Sequence, residues 1–477
     1  MATVAKAMWA SRLRLGAVVL LALAFAPAAR AGGPGLLIGA TEDAVRSANM
    51  SDAKTQMDLL SLAGFRGVRI TQVWAPGETT LSKPDKTILD NVVAAAKLDG
   101  VTVVTSILNA GSKTTPLTAE DQADFAAYAA SVVSEEPALR TVIIGNEPNI
   151  NRYWLPQFNA DGSDAAAPAY ESLLAQTYDA IKQARPGVTV LGGAVSPHGG
   201  DVDGIRPTHS PTVFIHDLGQ AWHNSGRVQP IMDGFAFHPY EDNSSIAPVS
   251  GTHPNSTTIA LADYDKLVAS LGDAFGTYTM PIWYDEFGVE SQIPAAKASF
   301  YTGTEPTTTH PVSAATQAEY YEQAIQLAFC QPNVQGLFLF HAVDETALSG
   351  WQSGLYYADD TPKASLKPVR TAMEESRRGI VAACPGLQLP VTAKLAQQKT
   401  GPITLTCNLD CSYTAQLYRL PGHLLSTRHG TAIGGRAAKL ALKVPKAKGT
   451  YRVRVSAVAP VNPGPPTTVL RNVHAGL

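Results

Sequence analysis

Eight short apolar runs, rich in β-branched residues, recur at intervals of about 30 to 55 residues, and each is followed by a segment with helical periodicity. Alternating strands and helices predict a parallel sheet, because parallel strands need crossover connections. Six strands would favour an open sheet, whereas eight predict closure into a (β/α)8 TIM barrel. The runs are residues 36–41, 68–74, 102–108, 141–146, 188–195, 234–240, 282–287 and 336–343.

The segments between these runs carry signals for helix starts and ends. Thr118 precedes Glu120 and Asp121, and a threonine N-cap followed by early acidic residues is typical of a helix start. Ser51 is predicted to cap an earlier helix, with Gly64 near its end. Three further helices are predicted over residues 170–184, 261–275 and 313–329.

The character of the sequence changes after Pro385. Short alternating stretches, interrupted by Gly and Pro, replace the helical pattern and predict a small all-β, sandwich-like domain. Residues 388–477 hold twelve Lys and Arg but one acidic residue, Asp410, for a net charge of about +11, while residues 32–387 carry about −18. We therefore predict a barrel domain at 32–387 and a basic domain at 388–477. The predicted strands of the second domain are residues 403–407, 413–417, 438–444 and 451–458.

Residues 1–31 have the pattern of a secretory signal peptide. Lys6, Arg12 and Arg14 precede the apolar run 15–25, and small residues around position 30 form a cleavage site. The run is shorter than the roughly 20 residues of a spanning helix, and no later segment is apolar for long enough. We expect a secreted protein with no membrane span; an uncleaved anchor is the alternative reading.

Export makes the four cysteines interpretable, because disulfides persist outside the cytosol. Cys407 and Cys411 lie close enough in sequence to close a small loop, which leaves Cys330 to pair with Cys384. The absence of a C-x-x-C pair argues against a zinc ribbon.

Polar residues at the ends of the apolar runs are candidate site residues, because barrel enzymes carry catalysis at the C-terminal ends of their strands. The fourth run leads into Asn146 and Glu147, and the seventh ends in Asp285 and Glu286. Two carboxylates would therefore face each other across the barrel mouth. Glycoside hydrolysis needs such a pair, since one carboxyl protonates the leaving oxygen and the other attacks the anomeric carbon or activates water. Either glutamate alone would be read as an exposed loop acid.

Four motifs in register extend this pattern over roughly residues 36–380. They are Arg69 on the second strand, Asn146-Glu147-Pro148 after the fourth, His238-Pro239-Tyr240 on the sixth and Glu286-Phe287-Gly288 after the seventh. Together they resemble glycoside hydrolase clan A, and most closely its cellulase-like family five. The resemblance implies a retaining mechanism with Glu147 as acid/base and Glu286 as nucleophile.

The other residues of these motifs are expected to bind substrate or support the nucleophile. Asn146 can hydrogen-bond the sugar 2-hydroxyl, a contact that strengthens in the transition state. Arg69 and Tyr240 would hold Glu286 ionised through a nearby cation and a hydrogen bond. His238 is expected in the site as well, with a structural core histidine as the alternative.

Four tryptophans lie at or just beyond barrel strands, where they could stack on the apolar faces of sugar rings. They are Trp74, Trp154, Trp283 and Trp351, and each could instead belong to the core. The sequence departs from the family in one respect, because it lacks the usual tryptophan on strand eight beneath the catalytic subsite. Phe340, His341 or the later Trp351 are the candidates for that place, and the acids Asp344 and Glu345 could bind a sugar hydroxyl.

Other chemistries find little support. Ser196 and His198 lie close together, but no G-x-S-x-G elbow surrounds the serine. No H-E-x-x-H motif, Walker motif or dinucleotide-binding loop is present, so we expect no metal and no cofactor. The expected partner is a carbohydrate rather than nucleic acid, and the chain is expected to act as a monomer.

Two rival classes remain: a barrel that binds glycans without cleaving them, and a cell-envelope adhesin. The basic domain bears on both. It has no Trp or Phe, and its few tyrosines include Tyr413 and Tyr451 in apparent core positions, which is atypical of a sugar-stacking module. Its charge predicts that it docks on the acidic barrel or binds acidic cell-envelope polymers.

Overall fold

A computed structural model describes residues 32–397 and 401–475. Eight parallel strands in sequential order close into a barrel, which confirms the predicted TIM-barrel fold. The predicted signal peptide lies outside the described residues. The barrel strands are β1 (Leu37–Thr41), β2 (Gly67–Trp74), β3 (Thr102–Asn109), β4 (Thr141–Ile144), β5 (Thr189–Val195), β6 (Gly234–Phe237), β7 (Ile282–Phe287) and β8 (Val334–Phe340).

One helix follows each barrel strand. At α3 the prediction of the cap is confirmed, since the Thr118 hydroxyl accepts a hydrogen bond from the Asp121 backbone N–H. At α1 it is wrong by two residues, because the Asn49 side chain accepts from the Ser51 N–H and so caps the helix. The helices are α1 (Met50–Ala63), α2 (Lys83–Asp99), α3 (Ala119–Glu135), α4 (Ala166–Ala184), α5 (Pro211–Asn224), α6 (Tyr264–Phe275), α7 (Ala314–Cys330) and α8 (Leu366–Arg378).

The interior of the barrel is filled with side chains. Trp283 and Phe338 stack there with ring centroids 6.1 Å apart. The Phe338 ring lies so close to Gly39 that a Cβ at that position would come within 2.5 Å of it. Because the interior is a packed core rather than a channel, a ligand cannot pass through the barrel.

Two antiparallel sheets form the C-terminal domain, in the orders β13-β10-β9 and β12-β11-β14-β15. Three strands were missed by the prediction. One of them, β12, exposes most of its side chains on both faces and so lacks an alternating pattern. The strand predicted at 438–444 is wrong beyond its second residue. The strands are β9 (Ala393–Gln397), β10 (Ile403–Cys407), β11 (Cys411–Arg419), β12 (His423–Ala432), β13 (Ala438–Lys439), β14 (Gly449–Val458) and β15 (Thr467–Ala475).

The two domains meet at the end of the barrel where the strands begin. Leu389 and Leu409 lie beside Gly379 at the end of α8, close to Pro34 before β1. Arg378 of the barrel forms a two-pronged ion pair with Asp410, at 2.6 and 3.0 Å. Among the described residues this is the one ion pair between the domains, and its cation belongs to the barrel. The described basic side chains of the second domain therefore form no ion pair with the barrel.

Both predicted disulfides are present. Cys330–Cys384 ties the end of α7 to the segment after α8, and Cys407–Cys411 spans the turn between β10 and β11. Within the part of the chain that the structure describes, no helix combines the length and apolar character needed to cross a membrane. The same residues contain no group of three or more His, Cys, Asp or Glu side chains placed to hold a metal ion.

Candidate active site

A cleft of about 560 Å³ opens at the C-terminal ends of the barrel strands. It brings together six of the predicted site residues: Arg69 of β2, Asn146 and Glu147 after β4, Tyr240 after β6, Glu286 of β7 and Trp351 after β8. A seventh, His238, lies fully buried directly beneath the two glutamates. Residues that are far apart in sequence thus converge at one point, as the closed barrel requires.

Glu286 is held by a cation and a phenol. Arg69 Nη1 lies 2.6 Å from its Oε1, and the Tyr240 hydroxyl donates to its Oε2 at 3.0 Å. Arg69 also donates to Asn146 Oδ1 at 3.1 Å and to Ser106 Oγ at 3.2 Å. Burial, and then the charge of Glu286, raise the pKa of Tyr240 well above its usual value, so the phenol stays a neutral donor. Arg69 and Tyr240 thus place one positive charge and one O–H dipole at the carboxyl of Glu286.

Glu147 lies at a sharp turn out of β4. Its φ of 42° is in the left-handed region, which a residue with a side chain rarely adopts, and Gly145 just before it has φ 86°. The Glu147 N–H donates to the carbonyl of Ala194 at 2.7 Å, which fixes the turn against β5. Such a conformation costs about 1–3 kcal/mol, and it turns the carboxyl into the mouth of the barrel.

His238 connects the two glutamates. Its Nδ1 lies 3.0 Å from Glu147 Oε1 and 3.5 Å from Glu286 Oε2, while its Nε2 lies 3.2 Å from Asp285 Oδ2. Burial alone would lower the pKa of this imidazole. The charges of Glu286 and Asp285, with hydrogen bonds to Asp285 and Glu147, outweigh burial and raise the pKa to about 10. His238 is therefore an imidazolium at neutral pH.

The contacts of His238 also limit how far apart the two glutamates lie. Glu147 Oε1 and Glu286 Oε2 are 3.0 and 3.5 Å from the same nitrogen. These two oxygens are thus at most about 6.5 Å apart, the lower end of the range of about 6.5–9.5 Å typical of inverting glycosidases.

A β-bulge lets β7 present two consecutive carboxylates. Tyr284 and Phe287 are three residues apart, but their partners on β8 are two apart. Neighbouring residues of a regular strand point to opposite faces, whereas a bulge interrupts that alternation. Asp285 and Glu286 consequently both reach the region of Arg69 and His238.

Three of the four predicted substrate-binding tryptophans do not line the cleft. Trp74 is fully buried and packs on Phe125, with its indole N–H donated to the Glu78 carbonyl. Trp154 is 1% exposed and packs on Tyr170, and Trp283 belongs to the barrel interior. The expectation that these three contact substrate is corrected, because buried rings leave no face for a sugar.

Trp351 does line the cleft, together with Phe340 and His341. The Trp351 ring lies 4.9 Å from that of Tyr240 and 5.4 Å from that of Phe340, so the three rings form one aromatic wall beside Glu286. All three candidates for the place of the missing strand-eight tryptophan therefore line the cleft.

The two acids after β8 have different surroundings. Glu345 lines the cleft, and its pKa is lowered by a hydrogen bond from His341. Asp344 lies behind the cleft, buried against Lys363 Nζ at 2.7 Å and the Tyr301 hydroxyl at 2.8 Å. The expectation that Asp344 binds a sugar hydroxyl is therefore wrong, because its oxygens are already taken within the protein.

Several residues around the cleft had no predicted role. Arg152, Tyr153 and His198 line it, as does Glu241, and Asp285 lies beneath it. Asp285 stands next to Glu286 in the sequence, yet regular strand alternation would have turned one of the two away from the site. The bulge that overrides this alternation leaves no mark in the local residue pattern.

No family model matches this chain, and no curated protein matches it. Solved structures share its fold. A family 39 glycoside hydrolase from the gut symbiont Bacteroides cellulosilyticus has a TM-score of 0.51 at 16% identity, over 85% of this chain and 79% of that one. The GH5_18 protein of Streptomyces cattleya, in complex with GlcNAc, has a TM-score of 0.50 at 16% identity, over 75% and 83%. A GH5_18 variant from Bifidobacterium longum has a TM-score of 0.50 at 14% identity, over 72% and 79%. At these identities the likeness concerns the fold, and it extends over more than one family of barrels.

Proposed function

We propose that this chain is a secreted retaining β-glycosidase that hydrolyses a β-glycosidic bond of a poly- or oligosaccharide, acting as a monomer. Glu147 is the proposed acid/base and Glu286 the proposed nucleophile. The observation that carries the proposal is the contact of both carboxyls with one imidazole, with Glu286 further held by Arg69 and Tyr240. The fold shared with solved glycoside hydrolases supports the reaction class.

In the first step Glu286 attacks the anomeric carbon while the bond to the leaving oxygen breaks. Glu147 gives its proton to that oxygen, so the leaving group departs as an alcohol. His238 occupies Oε1 of Glu147, which leaves Oε2 to carry the proton. Asn146 is turned by Arg69, which donates to its Oδ1, so its amide N–H groups remain free for the sugar 2-hydroxyl.

In the second step a water molecule takes the place of the leaving group. Glu147, now ionised, accepts a proton from the water while the water oxygen bonds to the anomeric carbon. The bond between that carbon and the Glu286 oxygen breaks at the same time. Each enzyme group returns to its starting form, and the product keeps the β-configuration. The aromatic wall of Tyr240, Phe340 and Trp351 offers the sugar ring a flat apolar surface throughout.

Aryl β-glycosides test the proposal directly. Wild-type protein should release the aryl group, and proton NMR of the first product should show the β-anomer. Release of the α-anomer would contradict the retaining mechanism. Binding of oligosaccharides without any turnover would instead favour the glycan-binding barrel.

Two variants separate the proposed roles. Glu286→Ala should abolish turnover of every substrate. In Glu147→Ala, kcat/KM should fall about 10²–10⁴-fold with poor leaving groups but little with dinitrophenyl glycosides, whose leaving group needs no proton. Azide should rescue Glu147→Ala as the β-glycosyl azide. Equal loss on both kinds of substrate would refute the assignment.

For the basic domain we propose acidic cell-envelope polymers as partners. Its described basic side chains form no ion pair with the barrel, so their charge remains available. Full-length protein should be retained on an anionic polysaccharide matrix and released by salt, whereas a chain ending at residue 387 should pass through. Equal retention of both chains would contradict this proposal.

A further inference from the structure

Asp285 is a fully buried carboxylate directly below the cleft. Its Oδ2 lies 3.2 Å from His238 Nε2 and 3.5 Å from Arg69 Nε. Its Oδ1 has no hydrogen-bond partner among the described residues. The bulge in β7 directs it inward beside Glu286, although it lies too deep to line the cleft.

Carboxylates surround His238. Glu147 faces it from the end of β4, Asp285 and Glu286 face it from β7, and the Tyr240 ring meets its edge from its own strand end. Both ring nitrogens therefore point at carboxylate oxygens, and each can donate to an ionised carboxylate only when it carries a proton. The geometry fits the doubly protonated imidazolium, which carries one positive charge.

The charges of the residues around Glu147 and Glu286 determine how many negative charges that pair can carry. Arg69 and His238 are positive and Asp285 is negative, so this fixed set carries one net positive charge. An uncompensated buried charge is strongly destabilising, so each buried charge needs an opposite one nearby. The set therefore balances one negative charge on the Glu147 and Glu286 pair. In the proposed mechanism that charge is on Glu286 before attack, and it is on Glu147 once Glu286 is esterified.

We infer that Asp285 is a positioning residue that keeps His238 doubly protonated, so that the Glu147–Glu286 pair holds one proton in each half-reaction. The catalytic part of this inference rests on the proposed function, whereas the coupling of Asp285 to His238 does not. Without the charge of Asp285, His238 would lose a proton at a lower pH. Its bare Nδ1 would then accept the Glu147 proton instead of donating to that carboxyl, and the leaving group would lose its acid.

The protonation state of His238 can be measured without substrate. Full-length protein labelled with nitrogen-15 in histidine is titrated by NMR, and His238→Gln identifies the signal. Both ring nitrogens of His238 should stay protonated to about pH 9, in keeping with a pKa of about 10. Titration of wild-type His238 near the ordinary value of about 6.5 would overturn the inference, even if every variant failed to fold.

Asp285→Asn then tests the cause, since it keeps the shape of the side chain and removes its charge. The titration of His238 should move down by about two pH units or more. Asp43→Asn is the matched control, because Asp43 is a carboxylate at the same cleft that does not contact His238, and it should leave that titration in place. An unchanged His238 titration in Asp285→Asn would refute the coupling.

Kinetics separate positioning from a merely structural role. In Asp285→Asn the alkaline limb of kcat/KM should move down by about one pH unit for poor leaving groups and stay in place for dinitrophenyl glycosides. Equal loss on both substrates with an unshifted profile would mean that Asp285 only supports the fold. If wild-type protein cleaves no glycoside, the proposed function fails, and NMR still decides whether Asp285 governs His238.

Discussion

Burial and neighbouring charges together decide the protonation state of single residues around Glu286. Burial penalises an imidazolium, yet three carboxylates within 3.5 Å make His238 a cation. For Tyr240, burial and the carboxylates act in the same direction, and the phenol stays neutral. One side chain thus supplies a fixed charge and the other a fixed dipole to the same carboxylate.

Tyr240→Phe isolates that dipole. The variant keeps the ring against Trp351 but removes the donor to Glu286 Oε2. A hydrogen bond to a charged group contributes about 1.5–3 kcal/mol, so kcat/KM on aryl β-glycosides should fall roughly ten- to hundredfold. Tyr320→Phe is the control, since that hydroxyl donates to a loop carbonyl outside the cleft. Wild-type activity in Tyr240→Phe would exclude a role for the phenol.

Glu241→Gln should change how stability depends on pH. Burial, and then the charges of Asp263 and Asp242, raise the pKa of Glu241 to about 9, and neither of its carboxyl oxygens has a partner among the described residues. Since the folded-state pKa lies above the unfolded value of about 4.3, the neutral form is the one that suits the fold. Its stabilisation is complete below about pH 4.3 and is lost as pH rises toward 9.

Glutamine cannot titrate. The free energy of unfolding of Glu241→Gln should therefore rise relative to that of wild type by up to about 1.4 kcal/mol per pH unit between pH 5 and 9. Urea unfolding at several pH values measures this difference. Glu319→Gln, on the exposed face of α7, should run parallel to wild type. A constant offset for Glu241→Gln across the range would show that Glu241 does not titrate in the fold.

At the level of elements, a buried lysine joins the loops after β7 and β8. Lys363 Nζ donates to Ser291 Oγ at 2.8 Å, to Asp344 Oδ1 at 2.7 Å and to the Gln352 carbonyl at 2.9 Å. We call Lys363 and its three partners the Lys363 hub. Because Gln352 is the neighbour of Trp351, this hub fixes the loop that carries Trp351 of the aromatic wall.

Lys363→Met should therefore leave Asp344 buried without its cation and destabilise the protein by about 3–5 kcal/mol, with a raised KM in the protein that remains folded. Lys297→Met is the matched control. Its ion pair with Asp359 is partly exposed, and its loss should cost less than about 1 kcal/mol in the same denaturation experiment. Similar costs for the two variants would mean that the hub does not anchor the loop.

Elements differ in how far the sequence could predict them. Barrel strands are buried on both faces, so they stand out as apolar runs, and the positions of Glu147 and Glu286 followed from where the runs stop. The exposed strand β12 leaves no such pattern. Trp74, Trp154 and Trp283 were misassigned because position along a strand does not say which way a ring points when both faces are apolar.

At the scale of the whole molecule, the two domains have separate tasks. The residues that line the cleft lie between Thr41 and Trp351, and none belongs to the second domain. Deleting residues 388–477 should uncover the apolar contacts around Gly379 and remove the partner of Arg378, so thermal unfolding should occur at a lower temperature. The catalytic constant on small β-glycosides should stay nearly unchanged. A truncated barrel that remains folded but inactive would show that the second domain contributes to the active site.

The junction between the domains, at the end of the barrel opposite the mouth, also bears on how such a protein can diversify. Insertions in the mouth segments 151–169 and 241–259 alter the walls of the cleft without touching the surface around Arg378 and Asp410. Descendants of this chain could therefore exchange one ligand for another while inheriting the same attached module, or replace the module while keeping their chemistry. Changes at one end of the barrel therefore do not require changes at the other.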